Sequence, residues 1–261
     1  SLKILKKYSK FDKLFKIISL SRNFGHQIAV TAGIKKSSGD FIAIIDADLQ
    51  DPPELIPQMY KMAKRDNLEV VYGKRRKRSG ETYFKKITAN LFYRFLNFMS
   101  DLEIPKDTGD FRLITKKVAD AFNNMPEKHR FIRGMIPWLG FKSSPLEYDR
   151  NIRKFGKSKY PLKKMITFAN NAILSFSSQP IILASRFGII LILFGIVFGS
   201  YVLYLKIFKG ITAGITSIIL VIIILGGFQI YFIGIIGKYI GKIFEESKKR
   251  PLYIINEEIN F

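Results

Sequence analysis

The segment FIAIIDADLQDPP, residues 41–53, joins an apolar run to a group of carboxylates. Its first part, Phe41–Ile45, is continuously apolar, which is typical of a strand buried on both faces of a parallel sheet. In sheets of that kind, ligands bind beyond the carboxyl ends of the strands. The sequence therefore predicts a functional site directly after Ile45.

Oxygen-bearing side chains follow this strand at every second position. In an extended segment, Asp46, Asp48 and Gln50 share one face, and such oxygen ligands suit Mg²⁺ or Mn²⁺. The acidic pair directly behind an apolar run favours a metal site over two solvated acids in a turn. Asp51 has a different predicted role, because Asp-Pro-Pro-Glu is typical of an N-cap, a proline in the first turn and a capping-box acid. We expect Asp51 to be only a helix cap.

Strand-like and helix-like segments alternate along the first 100 residues, which predicts a layered α/β domain that opens with a β-α-β unit. The predicted strands are 14–20, 41–45 and 69–72, and the predicted helices are 25–32, 52–64 and 81–99.

A second acidic motif, DTGDFR, covers residues 107–112. Gly109 permits a tight bend that presents Asp110 beside the metal acids, and Arg112 is a candidate anchor for an acid or a phosphate. A plain surface turn is the open alternative. His26 and His129 stand apart from other ligand-type residues and are predicted to be structural. Trp138 is either a core residue or a membrane-facing anchor.

The last third of the chain has the composition of a membrane hairpin. Phe187–Leu205 carries no charge over 19 residues and Ile211–Gly237 carries none over 27, and each is long enough to cross a bilayer core. Lysines and arginines crowd the outer flanks of the pair, so the positive-inside bias places both termini in the cytoplasm. Residues 157–178 are predicted to form an interfacial helix before the first span.

The formal net charge is +22, from 43 basic and 21 acidic residues. An anionic partner is therefore expected, and the lipid headgroups beside a membrane hairpin explain the charge better than nucleic acid does. The chain contains no cysteine, so disulfides are excluded. Gly226, Gly227 and Gln229 within the second span indicate a packed helix interface, which is either an oligomer contact or hairpin self-packing.

Six segments, taken together and in this order, resemble bacterial polyisoprenyl-phosphate glycosyltransferases of glycosyltransferase family 2, such as bactoprenol glucosyltransferases and dolichol-phosphate mannose synthases. They are SRNFGHQIAVTAGI (21–34), DADLQDPPEL (46–55), VYGKR (71–75), DTGDFRL (107–113), RFIRGMIPWLGF (130–141) and KRPLYI (249–254).

The resemblance implies a fold and a domain order. These are a Rossmann-like GT-A catalytic domain truncated at its N-terminus over residues 1–150, amphipathic juxtamembrane helices over 151–180, two transmembrane helices over 181–242 and a cytoplasmic tail over 243–261. It also implies a multi-pass protein of the bacterial cytoplasmic membrane.

The implied reaction is metal-dependent inverting transfer of a sugar, most often glucose from UDP-glucose, onto undecaprenyl phosphate at the cytoplasmic membrane face. A homo-oligomer and a flippase partner are also expected. The residues carried over are Asp48 and Asp110 as catalytic groups, Asp46, Asp48 and Gln50 as ligands of Mg²⁺ or Mn²⁺, Arg75, Lys86 and Arg78 as acceptor-phosphate residues, and Arg112 as a further anchor.

The chain departs from the family at its beginning. Family members open with a Pro-x-Tyr-Asn-Glu segment and an Asp-Gly-Ser segment that bind the donor, and neither occurs here. We expect that the first two strands of the pattern and the helix between them are missing, so that this chain by itself is inactive.

Alternative functions remain open. A diacylglycerol acceptor and a non-catalytic scaffold or translocation subunit are the alternatives, whereas a processive synthase is disfavoured because a Gln-x-x-Arg-Trp segment is absent. The sequence does not name the sugar.

Overall fold

The computed structural model describes residues 2–76, 108–149, 179–210 and 214–261. The chain divides into two compact units. The first comprises residues 1–98, 102–168 and 249–261, and the second comprises residues 99–101 and 169–248. The last residues of the chain therefore belong to the first unit, although sequence reasoning treated residues 243–261 as a separate tail.

Helices and strands alternate in the first unit, so the predicted α/β class is confirmed. The elements are α1 (Leu2–Phe11), β1 (Ile17–Leu20), α2 (His26–Lys36), β2 (Phe41–Ile44), a 3-10 turn (Pro53–Leu55), α3 (Ile56–Arg65), β3 (Val70–Arg75), β4 (Thr108–Thr115), α4 (Lys116–Asn124), α5 (Ile132–Trp138), β5 (Ser143–Tyr148) and β6 (Ile255–Ile259).

Four of these strands form a mixed sheet in the order β2-β4-β3-β5. Strand β4 is antiparallel to both of its neighbours, and β3 and β5 are parallel. Burial is continuous from Thr108 to Ile114 because β4 lies between two strands and is covered on both faces. The core beside it contains Met59, Val71 and Phe111. This central strand carries Asp110 into the interior of the unit.

The prediction that Phe41–Ile45 is buried on both faces of a parallel sheet is wrong. Strand β2 pairs with β4 in antiparallel register, and only every second side chain, Ile42 and Ile44, is fully buried. Apolar side chains on the other face, such as that of Phe41, are partly covered by α3, whose Tyr60 ring lies 5.0 Å away edge to face. A continuously apolar segment such as 41–45 can therefore form a strand whose side chains on one face stay partly exposed.

The predicted β-α-β unit is also wrong, because β1 and β2 belong to different sheets. Strand β1 pairs with β6 in antiparallel register, with Ile17 opposite Ile259. The pairing is reinforced by Asn260, whose Nδ2 donates to the carbonyls of Ser9 at 2.9 Å and Phe15 at 3.0 Å. The C-terminal segment is thus an integral strand of the first unit.

The described part of the second unit contains two long apolar helices, α6 (Gln179–Lys209) and α7 (Ile215–Ser247). Both are long and apolar enough to cross a membrane, and an 18-residue window has a mean hydropathy of 2.6 within Gln179–Lys209 and of 1.9 within Val221–Ser247. They pack through Phe187 and Phe228, whose ring centroids lie 5.0 Å apart. The predicted helices at 81–99 and 157–178 lie outside the described residues.

Candidate active site

Three potential metal ligands converge from distant parts of the chain. Asp46 follows β2, Asp110 lies in β4, and His26 begins α2. The antiparallel register that sets Ile44 opposite Arg112 also brings the segment of Asp46 beside Asp110. The Nε2 atom of His26 lies 3.0 Å from Oδ2 of Asp110 and 3.6 Å from Oδ1 of Asp46. We call His26, Asp46 and Asp110 the acid cluster.

Asp110 is the buried anchor of the acid cluster, with a side-chain exposure of 1%. Arg133 binds both of its oxygens, at 2.8 Å from Nε and 3.1 Å from Nη2. Gln27 donates to Oδ2 at 3.2 Å and accepts from the backbone N–H of Ile132 at 2.9 Å. Burial alone opposes ionisation, but the hydrogen bonds from His26 and Arg133 hold the pKa of Asp110 well below its usual range.

The electrostatics around Asp46 fit a divalent cation. Burial raises the pKa of Asp46, and the nearby carboxyls of Asp110, Asp51 and Asp48 raise it further, while His26 opposes them. A hydrogen bond to Asp110 in turn raises the pKa of His26. The ligand atoms of the acid cluster lie within 4.8 Å of one another. A divalent cation would relieve the repulsion between these carboxylates, so the chemistry of the donor set suits such an ion.

The segment after Asp46 is not extended. Residues 47 and 48 form a turn, Leu49 adopts a positive φ of 59°, and the backbone N–H of Gln50 donates to Oδ1 of Asp48 at 3.1 Å. The prediction that an extended backbone aligns Asp46, Asp48 and Gln50 is therefore wrong. Of these three, the compact acid cluster includes Asp46, and the metal-binding roles of Asp48 and Gln50 stay predictions.

Asp51 is not the helix cap that its sequence context predicts. The 3-10 turn at Pro53 begins without a side-chain cap, and Asp51 points into the interior with an exposure of 1%. Its Oδ1 accepts a hydrogen bond from the hydroxyl of Tyr148, at the end of β5. Burial, followed by the hydrogen bond to Asp51, raises the pKa of Tyr148 to about 12. This buried pair connects the acidic segment to the far edge of the sheet.

Gly109 is not the bend that the motif predicts, because it lies within β4. A Cβ at Gly109 would lie 2.7 Å from Nη2 of Arg75. A side chain at this position would therefore displace the Arg75 guanidinium, which lies directly against the backbone beside Asp110. This places one predicted acceptor-phosphate residue next to the acid cluster, whereas Arg78 and Lys86 lie outside the described residues.

Arg112 was predicted to anchor an acid or a phosphate. Its charge helps to lower the pKa of the acid Asp110, but its position does not suit a phosphate anchor. Its side chain is buried, with an exposure of 3%, and it donates to the carbonyls of Gly109 at 3.0 Å and Ile132 at 3.3 Å. Burial lowers the pKa of Arg112 to about 10. In this position the guanidinium supports the backbone below Asp110 and is shielded from a ligand.

Sequence reasoning missed three residues of the site. The prediction that His26 is only structural does not fit its place in the acid cluster, and Gln27 and Arg133 were not singled out. All three lie in segments that resemble family motifs, which is the signal that points to them. Trp138 has an exposure of 58%, so its interpretation as a core residue is wrong.

Comparison with known proteins identifies the family. The model described as glycosyl transferase family 2 matches residues 1–122. The uncharacterized glycosyltransferase YkcC of Bacillus subtilis is 48% identical, over 98% of this chain and 80% of YkcC. The chain belongs to glycosyltransferase family 2. It is thus a glycosyltransferase, and its relatives include the bactoprenol glucosyl transferase of Shigella phage SfV, 36% identical over 95% of this chain and 80% of that protein.

A further relative supports the same family assignment. The prophage bactoprenol glucosyl transferase homolog of Escherichia coli is 36% identical, over 94% of this chain and 80% of that protein. These alignments extend beyond the catalytic unit and take in the two apolar helices, because they cover nearly the whole chain.

Proposed function

We propose that this glycosyltransferase transfers glucose from UDP-glucose to undecaprenyl phosphate at the cytoplasmic face of the bacterial membrane. The observation that carries the proposal is the convergence of Asp46 and Asp110 with His26 within 4.8 Å. Such an acidic centre suits a donor whose leaving group is a diphosphate. Relatives named bactoprenol glucosyl transferases support the choice of glucose and of a polyprenyl-phosphate acceptor.

The proposed reaction is a single displacement. An oxygen of the acceptor phosphate attacks the anomeric carbon of the sugar, the bond from that carbon to the nucleotide oxygen breaks, and UDP leaves with the bonding electrons. The sugar configuration is inverted because attack and departure occur on opposite faces. The acceptor oxygen is already anionic, so a strong general base is less necessary than for a neutral hydroxyl.

We propose that Asp46 would hold the cation beside Asp110 in the acid cluster, and that Asp48 and Gln50 would add oxygen ligands from the turn that follows. Mg²⁺ or Mn²⁺ held by these residues would supply positive charge to stabilise the departing diphosphate. Asp110 is held in place by Arg133, Gln27 and His26. This carboxylate thereby orients the histidine and arginine side chains at the reacting centre.

Arg75 is the described candidate for binding the acceptor phosphate. Its guanidinium lies against Gly109, one residue from Asp110. A planar guanidinium binds phosphate oxygens in a bidentate manner, which suits the positioning of an anionic nucleophile. Arg78 and Lys86 stay predictions for the same task, as do a homo-oligomer and a flippase partner.

We further propose that α6 and α7 form a transmembrane hairpin with both chain ends in the cytoplasm. Their apolar lengths and the basic residues on the outer flanks support this orientation. A catalytic unit that is anchored in the membrane encounters its lipid acceptor by diffusion within the plane of the bilayer. The domain boundaries stay predictions, with divisions at residues 1–150, 151–180, 181–242 and 243–261.

The test is transfer of radiolabel from UDP-glucose into organic-extractable lipid, with undecaprenyl phosphate and Mg²⁺ present. For the full gene product we expect label in the lipid fraction and a loss of at least about 100-fold for Asp46→Asn and Asp48→Asn, because the leaving group then loses its charge stabilisation. The same assay on residues 1–261 alone tests the expectation that this chain by itself is inactive. Asp66→Asn is the matched control, since Asp66 pairs with Arg65 on the surface. Label from another nucleotide sugar, or into diacylglycerol, would refute the assigned donor or acceptor respectively.

A further inference from the structure

A cavity of about 490 Å³ lies in the first unit, between α2 and the C-terminal segment. Helix α2 contributes Thr31, Lys35 and Lys36, and the segment 251–255 forms much of the apolar wall. Lys35 follows His26 by nine residues, or about 14 Å along the helix axis. The cavity is therefore distinct from the acid cluster at the other end of α2.

The charge of the cavity selects an anion. Its lining includes Lys35, Lys36 and Arg130. Lys36 also pairs with Glu258 at 2.7 Å, which fixes β6 as a wall of the cavity. Arg130 donates to the carbonyls of Phe122 and Met125, and these two hydrogen bonds hold its guanidinium in place. Because Glu258 offsets the charge of Lys36, the net positive charge of the lining comes from Lys35 and Arg130, and this charge favours a phosphate group.

The same cavity also selects for an apolar portion and a hydroxyl donor. Pro251, Leu252 and Tyr253 supply apolar surface on the C-terminal side. Asn123 lines the cavity as well, and within the described part of the chain its Oδ1 is buried without a hydrogen-bond donor. A buried acceptor left unsatisfied costs stability, and a ligand hydroxyl would supply the missing hydrogen bond.

The chain connection relates this cavity to the membrane. Helix α7 ends at Ser247, and Pro251 follows four residues later, which is at most about 14 Å of extended chain. The intervening residues Lys248, Lys249 and Arg250 are basic. If α7 crosses the bilayer, as proposed above, the segment 251–255 that lines the cavity follows the membrane helix within a few residues of chain.

We propose that this cavity binds the headgroup of an anionic membrane phospholipid that carries hydroxyl groups, with phosphatidylglycerol as the representative ligand. The phosphodiester lies beside Lys35 and Arg130, a glycerol hydroxyl donates to Asn123, and the first carbons of the acyl region contact the apolar residues Pro251, Leu252 and Tyr253. Binding there fixes the C-terminal segment that follows the membrane helix. This inference rests on the proposed membrane placement and assigns a second lipid site apart from the reacting centre.

The test is native mass spectrometry of the detergent-purified protein titrated with phosphatidylglycerol. We expect one tight lipid adduct, and about fivefold weaker binding for Lys35→Gln because one cation near the headgroup is lost. Lys61→Gln is the matched control, since Lys61 is an exposed lysine of α3 that does not line the cavity. Equal losses in both variants would mean diffuse surface attraction and would overturn the proposal.

Three comparisons define the ligand chemistry. Asn123→Leu should remove the preference for phosphatidylglycerol over phosphatidic acid, because only the former offers glycerol hydroxyls to the lost acceptor. Displacement of the lipid by millimolar inorganic phosphate would assign the cavity to free phosphate and refute the lipid. Tight adducts with phosphatidylcholine at the same affinity would equally refute an anion-selective site.

Sugar transfer by the same protein separates this proposal from the catalytic one. Lys35→Gln is expected to retain transfer in detergent, since Lys35 lies about 14 Å along α2 from His26. Selective lipid binding without any sugar transfer would support the cavity and count against the proposed function. Sugar transfer with no selective lipid adduct would leave the catalytic proposal standing and overturn the lipid site.

Discussion

Removing the hydroxyl of Tyr148 tests whether Asp51 is a buried hydrogen-bonded residue or a helix cap. Tyr148→Phe deletes the donor to Asp51, whose side chain is only 1% exposed. A hydrogen bond to a charged group contributes about 1.5–3 kcal/mol, and the carboxylate left behind is buried away from water. We expect the free energy of unfolding to fall by about 2 kcal/mol, which lowers the melting temperature by roughly 4–8 °C for a unit of this size.

The assay is thermal unfolding of the purified protein, followed by circular dichroism, for a double-mutant cycle. The cycle comprises wild type, Tyr148→Phe, Asp51→Ser and the double variant. Serine is about as good an N-cap as aspartate, so the cap interpretation predicts that Asp51→Ser is nearly neutral. The buried pair instead predicts a loss of about 2 kcal/mol for each single variant and a coupling energy above about 1 kcal/mol.

Tyr60→Phe provides the matched control, because Tyr60 is exposed on α3 and its ring, not its hydroxyl, packs against Phe41. Its melting temperature should stay within about 1 °C of wild type, corresponding to the small effects of surface substitutions. Additive single-variant effects, or a neutral Asp51→Ser, would refute the hydrogen-bond reasoning.

Three further predictions concern separate parts of the catalytic unit. Gly109→Ala should lower sugar transfer by about tenfold or more, because the new Cβ lies 2.7 Å from Nη2 of Arg75 and displaces its guanidinium; steady-state transfer and melting curves separate this loss from unfolding. Asp110→Asn should lower stability at pH 7 by about 2 kcal/mol through loss of the Arg133 ion pair. Since the folded-state pKa of Asp110 is depressed, the difference in free energy of unfolding between wild type and Asp110→Asn has its full size above about pH 4 and shrinks as the pH falls further. Denaturant titrations at several pH values measure this difference. Asn260→Ala removes hydrogen bonds of 2.9 and 3.0 Å to two backbone carbonyls and should lower hydrogen-exchange protection in β1 and β6.

Each of these predictions has a matched substitution. Gly33→Ala introduces a Cβ with no described atom within 4 Å, so it should leave sugar transfer unchanged. Asp66→Asn removes an exposed carboxylate and should show little change in stability. Asn256→Ala lies in β6 with an exposed side chain and should retain exchange protection. If the Asn260→Ala and Asn256→Ala profiles coincide, the Asn260 contacts do not hold the strand.

Local sequence patterns predicted where several elements lie but not how they pair. The apolar run at 41–45 became β2, and the long uncharged segments became α6 and α7. The partners of β1 and β2 were predicted incorrectly because an apolar run indicates burial without indicating the direction of the neighbouring strand. That direction depends on β4 and β6, which follow much later in the chain.

The candidate site was predictable in part. Asp46 and Asp110 were identified from two short motifs, and the structure brings both into the acid cluster. His26 was interpreted as structural because a single histidine carries no ligand spacing of its own. Its position 3.0 Å from Asp110 arises from packing of α2 against the sheet, and no local pattern records that packing.

The sequence by itself determined the α/β class, the family, the two apolar helices and the acidic motif, because each of these depends on residue types at short spacing. Only the tertiary structure decided that Asp51 meets Tyr148 and that Gly109 provides space for Arg75. It also decided that the chain end returns as β6 beside β1. These contacts join residues far apart in the chain, and their formation depends on strand register and on the volume between packed elements.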